Sequence, residues 1–220
     1  MNSRYFGMAL TVLVLNGLST FGGTGIIARG GLSLANQSII PSGSVSTDNR
    51  TGFHFVVLGE QPVNPNMNVL YGGGFETKGF SSSQNSGGYT LALTKNVNYL
   101  IFPVMLSFGT YPMGITSRLF LNAGFEPSML LSAISNQTFT GSINKDTTTD
   151  NRSSYNDFDL CMRGEVGVET PVSIGLNGVF GVGASHGLTN AATSAVKTTS
   201  GKATTIQDYV FEIFAGVKFK

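Results

Sequence analysis

The chain has 220 residues, a length for one domain, with a formal net charge of +1 and 11% charged residues against roughly 25% in ordinary soluble domains. Near-neutral charge leaves no electrostatic footprint for nucleic acid, and the single cysteine, Cys161, rules out an internal disulfide. The 29 glycines, with abundant Ser, Thr and Asn, fit short strands joined by polar loops.

Met1 to Tyr5 carries one basic residue, Arg4, and is followed by an apolar run from Phe6 to Leu15 and the small, polar stretch Gly17 to Gly25. That is the shape of a secretory signal peptide. The run is too short to cross a bilayer as a helix, which needs about 20 apolar residues. Residues 1–22 are therefore expected to be a leader and 23–220 the mature domain, with cleavage near Gly22 or Gly23; the competing reading makes Ala9 to Leu15 a first strand.

Beyond the leader, period-two segments recur and no helical apolar spacing persists for three turns. Strands are predicted at Gly25 to Leu34, Thr51 to Glu60, Met67 to Phe80, Val97 to Gly109, Ile115 to Ser132, Asp157 to Glu169, Val172 to Leu188 and Ile206 to Phe219. Short Pro-marked turns at Gln61 to Asn66, Thr110 to Gly114 and Thr170 to Pro171 alternate with long polar loops at Ala35 to Arg50, Ser81 to Asn96, Ala133 to Asn156 and Thr189 to Thr205. Loops of that length are uncommon in compact domains. Four of them on one end fit an eight-stranded antiparallel up-and-down transmembrane β-barrel with short periplasmic turns and long extracellular loops.

Successive strand side chains point to opposite faces, which allows a test strand by strand. Ile26, Ala28, Leu32 and Leu34 oppose Arg29; Phe53, Phe55 and Val57 oppose His54 and Glu60; Leu119, Leu121, Ala123 and Phe125 oppose Arg118, Asn122 and Glu126. Phe158, Leu160, Met162, Val166 and Val168 oppose Asp159, Cys161, Arg163, Glu165 and Glu169, and in the last strand Tyr209, Phe211, Ile213, Val217 and Phe219 oppose Glu212 and Lys218. A soluble barrel keeps its exterior wet. Here the charged face is too sparse and too mixed in sign to do so, which turns it inward and puts Phe53, Phe55, Phe125, Phe158, Tyr209, Phe211, Ile213 and Phe219 against lipid.

Eight strands enclose a lumen that side chains fill. Arg29, Lys78, Arg118, Arg163 and Lys218 are expected to pair there with Glu60, Glu76, Glu126, Asp159, Glu165, Glu169 and Glu212, satisfying charge that is otherwise costly to bury. The result is a plug of ion pairs in place of a pore. With no Trp in the chain, the interfacial girdles fall to Phe and Tyr.

Several stretches resemble the PorT-like outer-membrane β-barrel proteins: Gly25 to Asn36, Thr51-Gly52-Phe53-His54, Asn98-Tyr99-Leu100-Ile101-Phe102-Pro103-Val104, Asn122-Ala123-Gly124-Phe125 and Phe214 to Phe219. The Asn-Tyr-Leu-x-x-Pro segment is the most specific of them. The chain departs from that pattern at Gly72-Gly73-Gly74, where relatives carry a more charged strand, and at Lys220, which follows the terminal aromatic. The resemblance implies an integral outer-membrane barrel and carries over no catalytic residue.

Sharper readings of single residues have bland rivals. His54, His186 and Ser185 invite a lipid-active enzyme, but neighbouring strand residues face opposite ways, so Ser185 and His186 cannot act as a nucleophile and base by themselves. Asp146, Asp150, Asn151 and Asp157 could offer oxygen ligands to calcium, without EF-hand spacing. Cys161 reads as an inward filler, and Gly72 to Gly74 as close backbone packing or a bend. The expected function is a structural or interaction protein that presents polar loops to a partner complex. It is read as no enzyme, with no cofactor, metal or nucleic acid, and with outer-membrane lipid around it. The alternatives are a narrow small-solute channel or transporter and, less favoured, a lipid-modifying enzyme.

Overall fold

Two-residue alternation is carried through ten strands of a computed structural model that describes residues 25–40, 47–111, 116–141, 144–193 and 205–220. The strands are β1 (Gly25–Ile40), β2 (Arg50–Asn64), β3 (Met67–Ser86), β4 (Tyr89–Ile101), β5 (Val104–Thr110), β6 (Arg118–Thr140), β7 (Lys145–Asp150), β8 (Phe158–Ser173), β9 (Leu176–Gly187) and β10 (Thr205–Phe219). The expected leader at 1–22 and its cleavage point lie outside the described residues.

All pairings are antiparallel, and β1 pairs on both edges, with Leu32 opposite Phe53 of β2 and Ile213 of β10. The order β1, β2, β3, β4 with β5, β6, β8, β9, β10 and back to β1 closes a ring of eight wall positions. Closure leaves every strand of the wall partnered and removes the sheet edges that neither water nor lipid tolerates well.

The predicted fourth strand, Val97 to Gly109, is one wall position built from two strands. It breaks at Phe102 and Pro103 because proline has no N–H to give to a ladder. The break is stitched by neighbours: Phe102 N–H donates to Pro127 O at 2.8 Å, and Gly72 N–H donates to Pro103 O at 3.2 Å. The glycines Gly72 and Gly74 serve a close approach: a Cβ on either would run into the carbonyl oxygens of Val57 and Phe55 on β2.

The expected long loops are corrected most. Ser81 to Asn96 is mainly a hairpin, in which β3 runs to Ser86 and β4 starts at Tyr89 around Gly87 and Gly88, both at positive φ (56° and 85°), as a tight two-residue hairpin turn requires. Within Ala133 to Asn156, β6 continues to Thr140 and β7 folds back along it, Phe139 opposite Lys145 and Ile134 opposite Asp150. β1 likewise extends to Ile40. Ser, Thr and Asn there mark strands wet on both faces, a pattern easily mistaken for loop. Strands of 16, 20 and 23 residues in β1, β3 and β6 exceed the roughly 9–11 that a bilayer takes, so the wall continues past the hydrocarbon on this end. At the opposite end Pro65 and Asn66 form the expected turn between β2 and β3, and most of the expected turn at Thr110 to Gly114 lies outside the described residues, but the third turn is displaced. Pro171 lies inside β8 at a bulge, and the chain reverses at Ile174 and Gly175.

Candidate functional site in the barrel interior

The predicted inward set and the predicted outward set separate cleanly by exposure. Arg29, Glu60, Glu76, Lys78, Arg118, Glu126, Asp159, Arg163, Glu165, Glu169, Glu212 and Lys218 are all buried, whereas Phe53, Phe55, Phe125, Phe158, Tyr209, Phe211, Ile213 and Phe219 are all exposed on the outer wall. Alternation along each strand produces this, since Asp159, Cys161, Arg163, Glu165 and Glu169 share one face of β8.

Arg163 is the hub of the middle layer. Its Nη1 donates to Glu126 Oε2 at 2.5 Å, its Nε donates to Glu165 Oε1 at 2.7 Å, its Nη2 donates to Glu212, and Glu76 Oε1 lies 3.9 Å away. Arg29 forks onto the same Glu165, with Nη1 to Oε2 at 2.7 Å and Nη2 to Oε1, the bidentate geometry that guanidinium favours. Asn122 Nδ2 donates to Glu165 Oε2 at 2.8 Å. Arg29 also lies 4.3 Å from the centre of the Phe214 ring, and His54 Nδ1 lies 3.1 Å from Glu212 Oε2.

Above the hub, Lys78 Nζ lies 3.5 Å from Glu76, 3.8 Å from Glu126, 4.0 Å from Asp159 and 3.1 Å from Cys161 Sγ. Cys161 is thus a fully buried member of this layer. Near the short-turn end a second cluster forms around Lys218 Nζ, 2.5 Å from Glu60 and 3.1 Å from Glu169, with Arg118 within 3.7 Å of the same two carboxylates.

Apolar layers separate and cover these charges. Ile27, Val56, Leu58, Leu70, Met105, Phe120, Val179 and Phe214 pack between the two ionic clusters. Val97, Tyr99, Ile101, Leu130, Ala133 and Ile206 close the opposite end together with Tyr155, Ala191 and Ala192. Those last three come from connecting segments that lock across the mouth. Asn156 Nδ2 donates to Asn190 O and Ala192 O at 2.8 and 2.9 Å, and Thr193 N–H donates to Ser154 O at 3.1 Å.

Asp208 is a member of the site that the sequence reading left out. It is buried, accepts from Gln37 Nε2 at 2.7 Å, and Gln37 Oε1 accepts in turn from Tyr155 O–H at 3.1 Å. A signal existed for Asp208, which shares parity with Glu212 on β10. None existed for Gln37 and Tyr155, which fell in segments read as loop. Among the described residues the interior holds five Lys or Arg and eight Asp or Glu side chains, three more acidic than basic groups.

Ser185 and His186, which invited a lipid-active reading, do not come together. Ser185 faces inward while His186 faces out and stacks on Tyr209 at 4.6 Å between centroids. Asp150 Oδ1 accepts from the Arg152 backbone N–H at 2.9 Å, and Asp157 pairs with the Arg152 side chain at 3.2 Å, so these two carboxylates are engaged by Arg152, while Asp146 stands exposed on β7. Among the described residues no three His, Cys, Asp or Glu side chains converge as a metal site.

The family model for the outer membrane protein beta-barrel domain matches residues 22–192. No curated protein matches the chain. Among solved structures, it is similar to Ail, the attachment invasion locus protein of Yersinia pestis, at 10% identity over 90% of this chain and 99% of that one, with a TM-score of 0.41. It is similar to Neisserial surface protein A at 10% identity over 89% and 96%, TM-score 0.43, and to OprG of Pseudomonas aeruginosa at 13% identity over 90% and 97%, TM-score 0.43.

Proposed function

The chain belongs to the outer membrane protein β-barrel family, with its place in the bacterial outer membrane, and from that premise we propose that it works as a plugged barrel, a structural or interaction protein with no transport or catalytic role. The observation that carries this reading is the filled interior: two ionic clusters, an apolar layer between them and a locked apolar cap over the mouth. Direct ion pairs with apolar layers between and above them argue against a continuous wet path, and eight strands enclose too little space for one. Ser185 and His186 face opposite sides of β9, which argues against their acting together in lipid chemistry.

What remains to act is the strand extension above the membrane, formed by the β3–β4 hairpin, the end of β6 and β7. In this reading it presents a rigid polar surface to a membrane-protein partner complex, with outer-membrane lipid around the belt below and no role for nucleic acid. We propose further that the chain is PorT-like, a resemblance carried by the Asn98 to Val104 segment, which here forms the wall break at Phe102 and Pro103.

Purified protein in planar bilayers is expected to stay electrically silent. A steady conductance that disappears when the Tyr155 cap is crosslinked shut would replace this reading with the channel. Trypsin added to intact cells is expected to cut at exposed Lys145, at the end of β7 that faces outward, and to leave uncut a Lys inserted beside Gly175. Cleavage at a site inserted beside Gly175, with Lys145 protected, would invert the topology.

A further inference from the structure

The sheet changes the side that carries its apolar residues where it leaves the membrane. In the wall Phe53, Phe125 and Phe211 face out and the charges face in. In the extension, where β3, β4, β6 and β7 lie side by side, the outward side carries Ser83, Thr94, Asn136, Thr138 and Asp146, whereas Tyr89, Leu91 and Leu93 of β4 and Phe139 of β6 face the barrel axis. Unbroken pairing fixes this assignment. Leu91 lies opposite Phe139, Leu93 opposite Gln137 and Lys95 opposite Ser135, in the same alternation that turns Val97 and Ala133 into the buried interior. The Tyr89 and Phe139 rings stack, 5.4 Å between centroids. Tyr89 and Leu91 stay exposed, although the polar residues on the other side of the sheet put water at this level. A contiguous apolar strip standing in water marks an interaction site.

Charge is sorted across the same sheet. Arg50 lies opposite the buried Ala35 and so faces the axis, as do Lys95 and Lys145, the latter opposite Phe139. Asp48, opposite Ser81, faces outward together with Asp146 and Asp150. Among the described residues no carboxylate pairs with the three axis-facing cations. Lys95 Nζ has only rings beside it, 5.6 Å from the centre of Phe80 and 5.8 Å from that of Tyr155, and Arg50 Nη1 donates to Lys78 O at 3.3 Å.

We propose that this axis-facing strip docks an acidic segment of a partner protein, which lays apolar side chains on Tyr89, Leu91 and Phe139 and carboxylates on Lys95 and Lys145. The proposal rests on the reading of the chain as an interaction protein and names the chemistry of its partner. Cations at both ends of one apolar strip suit a ligand that carries both kinds of group. Other occupants fit worse. A second copy would set the same three cations against themselves, and the chain's own segments 41–46 and 194–204 hold two lysines and no carboxylate. An acidic polysaccharide answers the lysines but has no side chains to cover Leu91 and Leu93.

The test is fluorescence anisotropy of a labelled heptapeptide that alternates Glu and Leu, titrated with the full barrel in phosphatidylcholine nanodiscs. Saturable binding is expected. It should weaken about tenfold in Leu91→Ser, which removes one apolar side chain from the contact, and about threefold in Lys145→Gln, which removes one exposed charge. Thr148→Glu makes the same change in charge on the outward side of β7 and should leave binding unchanged. All three positions are exposed, and the heat-modifiable gel shift verifies that each variant folds. No binding by a barrel that is silent in planar bilayers, equal binding of a heptapeptide with Lys in place of Glu, or tighter binding of polygalacturonate than of the peptide would overturn the proposal. So would a loss in Thr148→Glu but not in Lys145→Gln, or binding that appears only after residues 194–204 are replaced by a Gly-Ser linker. Steady conductance of the wild-type barrel is the separate failure, that of the interaction reading beneath it.

Discussion

Arg163→Met is expected to cost on the order of 3–5 kcal/mol, the penalty typical of removing one partner from a buried ionic network. Against the roughly 5–15 kcal/mol that holds a domain folded, that loss is a large fraction of the total. The guanidinium is the shared partner of Glu126, Glu165 and Glu212 and lies within 3.9 Å of Glu76, in an interior that already holds more acidic than basic groups. Methionine keeps much of the volume and removes the guanidinium on which all four carboxylates converge, leaving Lys78 facing Glu76 and Glu126 alone. The surface pair Arg152–Asp157 supplies the control, because its side chains are 49% and 66% exposed and Arg152→Met should change stability by about 1 kcal/mol or less. Denaturant titration of each variant in lipid vesicles reads the difference. Equal midpoints for the two variants would mean that the interior network holds the fold no better than a surface pair.

How much of this was legible in the sequence follows from what each part of the fold is made of. Arg163, Glu165 and Glu169 could be assigned to the lumen because period-two alternation is local, and their Phe158, Met162 and Val166 neighbours set the opposite face. The partners of each charge could not. Arg29 meets Glu165 across 136 positions, a pairing fixed by ring closure and register, which no local pattern records. The β3–β4 hairpin was hidden for a different reason: Ser81 to Ser86, wet on both faces, has no apolar alternation, and that of Tyr89, Leu91 and Leu93 is too short to outweigh it, so Ser81 to Asn96 read as loop. The Gly87-Gly88 pair was the available signal, since two adjacent glycines suit a two-residue hairpin turn. Tyr155 was missed because its burial depends on a lid assembled from two separate connections, through Asn156 and Ala192.

Ile213→Arg tests the outward face at its apolar centre and is expected to cost roughly 2–4 kcal/mol, the penalty for an arginine at the middle of such a wall. Ile213 is 61% exposed, lies between Leu32 of β1 and Val182 of β9, and has no carboxylate on its own face of β10, so the guanidinium would have hydrocarbon on every side. Tyr209→Arg is the matched comparison, four residues along the same face and beside Asn36, where the wall reaches the polar boundary. There the cost should fall to roughly 0–1 kcal/mol, because the side chain can extend to water. The inward neighbour Phe214 cannot replace that comparison: its ring lies under Arg29, so Phe214→Lys would set a second cation beside a guanidinium and remove core packing as well. Folding into vesicles with denaturant titration gives both penalties on one strand. A gradient from Ile213 down to Tyr209 follows only from a charge moving through a layer of hydrocarbon; equal costs, or none, would mean that water and not lipid covers Ile213.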